Sequence, residues 1–199
     1  MYPIVGTKAY DFTAAAIMPD DSIEEKFNLS SYTEGKKCML LFYPLNFTFV
    51  CPSELIALND FLDDFSKRET NVLSISIDSH FSHLAWKNYL KDNFSCEIDY
   101  PMVADINKNI SDSYGVLSSH GGVALRGSFI IDKNFIVRHS LINDFPIGRN
   151  IEESLRVLDA IDHHEEHGEV CPAGWKKGKK GMNPTIEGVQ QFLLKRDIL

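Results

Sequence analysis

The sequence predicts an α/β sandwich built on a mixed β-sheet. Three observations carry that reading. Short apolar runs alternate with segments of helical period between Lys37 and Tyr114. Two further strand-like runs then face each other across a turn at Lys133-Asn134. A helix with its own start signal closes the series.

In chain order, Lys37–Tyr43 (KCMLLFY) reads as a buried strand. Leu55, Leu58, Phe61, Leu62 and Phe65 then recur at helical spacing, with Asp and Lys on the other positions. Asn71–Asp78 (NVLSISID) is a second strand. A second helix is predicted over Ser79–Lys91, with Leu84, Ala85 and Tyr89 on or near one face. YPMVAD (Tyr100–Asp105) is a short strand, and a helix covers Asn109–Tyr114. Gly127–Asp132 (GSFIID) and Phe135–Asn143 (FIVRHSLIN) form a predicted hairpin. Asn150 followed by Glu153 resembles a capping box for a helix carrying Ile151, Leu155, Leu158 and Ile161. After Gly168 the chain turns rich in Gly, Pro and Lys (CPAGWKKGKKGMNP), which predicts an exposed, semi-mobile arm. Thr185–Arg196 adds a short amphipathic helix. The organisation is therefore a domain over residues 1–168 and an arm over 169–199.

Composition narrows the function. A net charge of −8 argues against a broad phosphate-binding face and hence against nucleic acid. The longest apolar runs fall well short of the roughly 20 residues of a membrane span. The start, MYPIVGTKAYDF, lacks a charged segment followed by an apolar core. A cytoplasmic location is expected, where thiols are kept reduced. The four cysteines, Cys38, Cys51, Cys96 and Cys171, contain no CxxC pair and no regular spacing. That disfavours a structural disulfide framework or a zinc knuckle.

Cys51 sits where the first strand gives way to a helix, directly before Pro52, a residue suited to a helix start. Free N–H groups and the positive helix end favour a thiolate there. Locally, a small buried apolar cysteine is an equal reading. Thr48, three residues earlier, shifts the balance because its hydroxyl can both donate and accept beside the sulfur. Pro44 fixes the course of the loop. Cys38 reads as core. Cys96 reads as a loop thiol without a role, or as a third redox partner. His163, His164 and His167, with Glu165 or Glu166, read as a solvated helix face rather than a metal site.

The stretch YPLNFTFVCPSE resembles the active-site signature of the peroxiredoxins, with Pro44, Thr48 and Cys51 at the Pro-x-x-x-Thr-x-x-Cys spacing. The likeness continues through HLAWKN, PMVADINKNIS, ALRGSFIIDKN, NDFPIGRN and HGEVCPAGWKKG, and so covers almost the whole chain. It is greatest to typical 2-Cys peroxiredoxins and the bacterial alkyl hydroperoxide reductase peroxidase subunits. The resemblance implies a thioredoxin-like fold and a thiol peroxidase for hydrogen peroxide and organic hydroperoxides, with no metal, haem or flavin of its own. It makes Cys51 the peroxidatic cysteine, Thr48 its orienting partner and Arg126 its fixed positive charge. Pro44 becomes the shield of the pocket, and Glu54 and Arg149 the supports behind it. Without the resemblance, Arg149 reads as a surface charge.

Cys171 becomes the resolving cysteine, supplied by the partner subunit of a homodimer that assembles further into a decamer. A disulfide so formed is recycled by thioredoxin or by a dedicated flavoprotein reductase. A redox-gated chaperone or peroxide sensor is the alternative reading. KDNFSCEID stands where many relatives carry a Gly-Gly-Leu-Gly loop, and the QFLLKRDIL end has no Tyr-Phe pair. Both departures imply resistance to over-oxidation.

Overall fold

Seven strands join into one sheet: β1 (Thr13–Ile17), β2 (Ile23–Asn28), β3 (Lys37–Phe42), β4 (Thr70–Ser76), β5 (Met102–Ala104), β6 (Arg126–Ile131) and β7 (Val137–Asn143). Their order is β2-β1-β5-β4-β3-β6-β7. The computed structural model that shows this describes residues 4–194. β3, β4 and β5 run parallel, and β1, β2, β6 and β7 pair antiparallel, so the sheet is mixed as predicted. All six side chains of β3 are buried. That explains its unbroken apolar run: a central strand has no wet face to mark with polar residues.

Alternation along β3 sends Cys38, Leu40 and Phe42 into one core with Leu73, Ile75, Val103, Phe129 and Ile131. Phe42, Phe129 and Tyr114 meet there in edge-on and tilted contacts, with centroids 5.0–5.6 Å apart. Tyr114 arrives from the end of helix α5 (Asn109–Ser113), after α1 (Leu29–Thr33), α2 (Cys51–Asp60), α3 (Leu62–Ser66) and α4 (His80–Phe94). The single helical run expected from Leu55 to Phe65 is thus two helices, broken at Phe61.

Two features depart from the sequence reading. The hairpin β1–β2 has no counterpart in it, because TAAAI is mostly alanine and IEEKFN carries three charges in a row, and both residue types are depleted in strands. Pairing on both sides makes β1 a strand, and the charges of β2 suit an exposed edge. The buried face of α4 also differs. His83, Trp86, Lys87 and Leu90 point inward, whereas Ala85 and Tyr89 are exposed. Pattern reading assigns His and Lys to water, but here both are satisfied inside. Lys87 donates to Met18 O and Pro19 O at 3.2 and 2.6 Å and pairs with Asp21 at 2.7 Å, which ties the β1–β2 turn to α4. The β6–β7 hairpin is present, with a longer turn than Lys133-Asn134 alone. The Asp132 carboxylate accepts from the N–H groups of Asn134 and Ile136, and Phe135 takes a left-handed φ of 64°.

The chain divides after Ile151 into two compact units, ahead of the 168/169 boundary expected from composition. The second holds α6 (Ile151–His167) from its second residue onward, and α7 (Ile186–Leu194). Arg196, the expected end of the last helix, lies outside the described residues. The arm between these helices is more ordered than its composition suggests. Val170 and Met182 exchange backbone hydrogen bonds of 2.8 and 2.9 Å, and Trp175 inside this loop is 4% exposed. Its indole N–H donates to Lys179 O, while Arg156 of α6 donates to Trp175 O. His163 packs on Trp175 at 4.8 Å between centroids and meets the Glu169 carboxylate at 2.9 Å. The histidine cluster is therefore not simply a solvated face, since His163 fastens the arm. No helix among the described residues is long and apolar enough to cross a membrane.

Phe129→Ala should destabilise the protein by about 3–5 kcal/mol, since it empties the centre of the three-ring contact. Urea unfolding followed by circular dichroism measures this.

Candidate active site

Cys51 is the first residue of α2 and Pro52 the second. Pro52 has no N–H, so the helix start loses nothing by its presence. The β3 strand ends at Phe42, Tyr43 and Pro44 follow in buried positions, and the loop then runs to Val50. This course brings Thr48 back over the first helical turn. Its Oγ1 lies 2.9 Å from Cys51 Sγ and 2.8 Å from Leu45 O, so one hydroxyl proton serves either the sulfur or the carbonyl. The Cys51 side chain has no exposed surface, and Thr48 is its half-buried neighbour.

A guanidinium reaches the sulfur from the sheet. Arg126 opens β6, and its Nη1 stands 3.4 Å from Cys51 Sγ. The same nitrogen donates to Glu54 Oε2 at 2.7 Å, while Nε donates to Phe145 O at 2.6 Å. Arg149 grips the other side of that carboxylate, from Nε to Oε1 at 2.8 Å and from Nη2 to Oε2 at 2.9 Å. Its backbone N–H adds a bond to Oε1 at 2.9 Å, and Nη1 donates to Gly127 O. The charged heads of Glu54, Arg126 and Arg149 are almost completely buried. Two cations face one anion, so the cluster carries a surplus positive charge next to the sulfur. Burial acts to raise the Glu54 carboxyl, but the Arg149 and Arg126 guanidiniums outweigh it and hold the group below the usual carboxylate range.

The structure thus brings Cys51, Thr48, Glu54, Arg126 and Arg149 together, with Pro44 buried at the head of the loop. Arg149 is not the surface charge that its local sequence suggests. Cys171 lies in the second unit, half-buried, with Sγ 3.5 Å from Ala160 O. Burial, together with the Glu169 carboxylate, pushes its thiol up against the opposing pull of Arg156. Cys38 is core, and burial pushes its thiol far up. Cys96 is half-buried beyond the end of α4, with Sγ 3.3 Å from Phe94 O. No group of three or more His, Cys, Asp or Glu able to hold a metal occurs among the described residues. Sequence reasoning missed the polar residues under the loop: Tyr43, Asn46 and His83 in mutual contact, with Asp78 and Ser82 beside them. Their one signal was the unusual load of polar residues in an otherwise buried segment.

A sulfur held this way, at a helix start beside a guanidinium, invites nucleophilic thiol chemistry. The AhpC/TSA family model matches residues 5–140, and that of the C-terminal domain of 1-Cys peroxiredoxin matches residues 160–195. Alkyl hydroperoxide reductase C of Helicobacter pylori is 47% identical over 196 residues, 98% of this chain and 98% of that protein. Its counterpart in Buchnera aphidicola is 46% identical over 193 residues, 96% of this chain and 98% of that protein. The reduced 2-Cys peroxiredoxin of Plasmodium vivax superposes with a TM-score of 0.92 at 46% identity, covering 97% of this chain and 100% of that one. The chain belongs to the AhpC/TSA family of peroxiredoxins, and it is a peroxidase.

Glu54→Gln should cost about 3–5 kcal/mol in urea unfolding, because it leaves two buried guanidiniums without their anion. The sign with pH follows from the lowered carboxyl. Its contribution is complete above the unfolded value near 4.5 and is lost as pH falls through the lower folded value. Between pH 5 and 8 the stability difference between wild type and variant should be flat.

Proposed function

We propose that Cys51 is the peroxidatic cysteine of a 2-Cys cycle. The observation that carries this reading is the convergence of the Thr48 hydroxyl and the Arg126 guanidinium on one sulfur at a helix start. The Cys51 thiolate attacks the terminal oxygen of a hydroperoxide. An S–O bond forms and the O–O bond breaks, and the leaving oxygen takes up a proton to depart as water or an alcohol. Arg126 stabilises the charge that moves from sulfur to oxygen in that step. Thr48 turns its hydroxyl between Leu45 O, the sulfur and the incoming peroxide, and Pro44 keeps bulk water from the sulfenic acid. Glu54 and Arg149 hold Arg126 in place. Hydrogen peroxide and small organic hydroperoxides are the substrates.

Cys171 of the partner subunit then attacks the sulfenic sulfur, expelling water and forming an inter-subunit disulfide. Residues 1–168 thus act as the peroxidase domain and 169–199 as the arm that supplies the second sulfur. Cys51 must leave its helical turn and Cys171 its place beside Ala160, so both segments open locally. A dithiol donor, thioredoxin or a dedicated flavoprotein reductase, returns two electrons through thiol–disulfide exchange. Such a donor pool fits the cytoplasm. A homodimer is required by the cycle, and its further assembly to a decamer is supported by an exposed aromatic patch. Phe47, Tyr89 and Phe94 stay open to solvent while ring contacts of 4.5–5.9 Å link them with Trp86.

One peroxide pulse followed by a non-reducing gel tests the cycle. Wild type should give a reducible dimer-sized band that Cys51→Ser and Cys171→Ser each remove, and with a thioredoxin system peroxide consumption should be sustained. A single oxidation event without recycling would point to a sensor instead. Under turnover, intact-mass analysis should show no build-up of sulfinic Cys51 at modest peroxide excess. Early accumulation would overturn the resistance inferred from the KDNFSCEID segment.

A further inference from the structure

Under the loop that carries Thr48 lies a buried polar cluster that the cycle above leaves unused. His83, on α4, has no exposed surface. Its Nε2 stands 3.1 Å from Val103 O, which can only accept, so the neutral ring carries its proton on Nε2 and a lone pair on Nδ1. That lone pair faces Asn46 Nδ2 at 3.1 Å and Tyr43 Oη at 3.2 Å. Asn46 is itself buried and fully engaged. Its amide also donates to Ser82 Oγ at 3.0 Å, its carbonyl accepts from Tyr43 Oη at 2.7 Å, and its backbone N–H donates to Asp78 Oδ2 at 2.9 Å. One loop residue is thereby clamped to the end of β3, the turn after β4 and the first turns of α4. Two residues further on, past Phe47 at a left-handed φ of 55°, comes Thr48.

We propose that Asn46 and His83 form a positioning pair. Neutral His83 accepts a hydrogen bond from the Asn46 amide, and that bond holds the 44–50 loop so that the Thr48 hydroxyl meets the Cys51 sulfur. The inference rests on the reading of Cys51 as the reacting residue. The pair exists only while His83 is neutral, because an imidazolium would set its own N–H against that of Asn46. The titratable and charged groups facing the ring are Tyr43 from the end of β3, Asp78 from the turn after β4 and His80 from α4. Burial pushes His83 down to about 4, with His80 acting the same way, and both outweigh the upward pull of Asp78 and Val103 O. The clamp therefore holds from neutral pH down to well below 6. An aspartate at position 46 would invert this, because its carboxylate would draw a proton onto Nδ1.

The test uses the reduced full-length protein and the stopped-flow rate of Cys51 oxidation by hydrogen peroxide. Asn46→Ala should slow that rate roughly ten- to a hundredfold, as expected for a displaced reacting group. Alkylation of Cys51 by iodoacetamide, which has no use for Thr48, should change less than about threefold. His83→Asn, whose amide oxygen falls near the Nδ1 position, should keep oxidation within about threefold of wild type. Nitrogen-15 spectra should show the Nε2–H tautomer of His83 in wild type from pH 5 to 8 and an imidazolium in Asn46→Asp. Wild-type oxidation in Asn46→Ala overturns the proposal, as does parallel slowing of oxidation and alkylation. If Asn46→Ala does not fold, a neutral His83 in Asn46→Asp overturns it alone. Undiminished peroxide consumption by Cys51→Ser would instead overturn the reading on which the proposal stands.

Discussion

The arrangement around Cys51 depends on one carboxylate. Glu54 rises from the first turn of α2, directly behind the cysteine, and is shared by guanidiniums from β6 and from the loop ahead of α6. Removing two cations from water is expensive unless an anion meets them with good geometry. Glu54 supplies that geometry with both oxygens, and so decides where Arg126 points. The surplus charge of the cluster is directed at the sulfur because the carboxylate has taken up only half of it.

The sheet makes this possible by bringing distant residues into register. β3 delivers the Cys51 loop and, through its antiparallel pairing with β6, places Arg126 at the neighbouring strand end. A buried central strand tolerates little shift in register, because a slip of one residue would turn its core side chains to the other face. The precision of the 3.4 Å approach between Arg126 and Cys51 is therefore inherited from packing of residues such as Leu40, Phe129 and Phe42. On the other side, α4 holds the loop through polar contacts as well as the Phe47–Trp86 ring contact, and the polar contacts fix direction as well as distance.

Much of this was legible in the sequence, for identifiable reasons. β3, β4, β6 and β7 declared themselves because central and hairpin strands carry dense apolar runs. β1 and β2 did not, since their strand character comes from neighbours and not from Ala, Glu and Lys. Thr48 and Cys51 were readable as a pair, being three residues apart on one turn of chain. Arg126 and Arg149 could be tied to Cys51 only through family likeness, because the fold, not local spacing, joins them. His83 escaped both routes. A histidine in a helix reads as surface until its partner, Asn46, is known to lie across the loop.

Cys51 occupies the opening residue of α2, where sulfur chemistry and helix geometry share the same atoms. In the proposed cycle, a sulfur bonded to a second chain would no longer sit under Thr48 and beside Arg126, and the turn that carries it would have to come apart. That cycle would translate the oxidation state of one buried atom into the presence or absence of the first turn of α2.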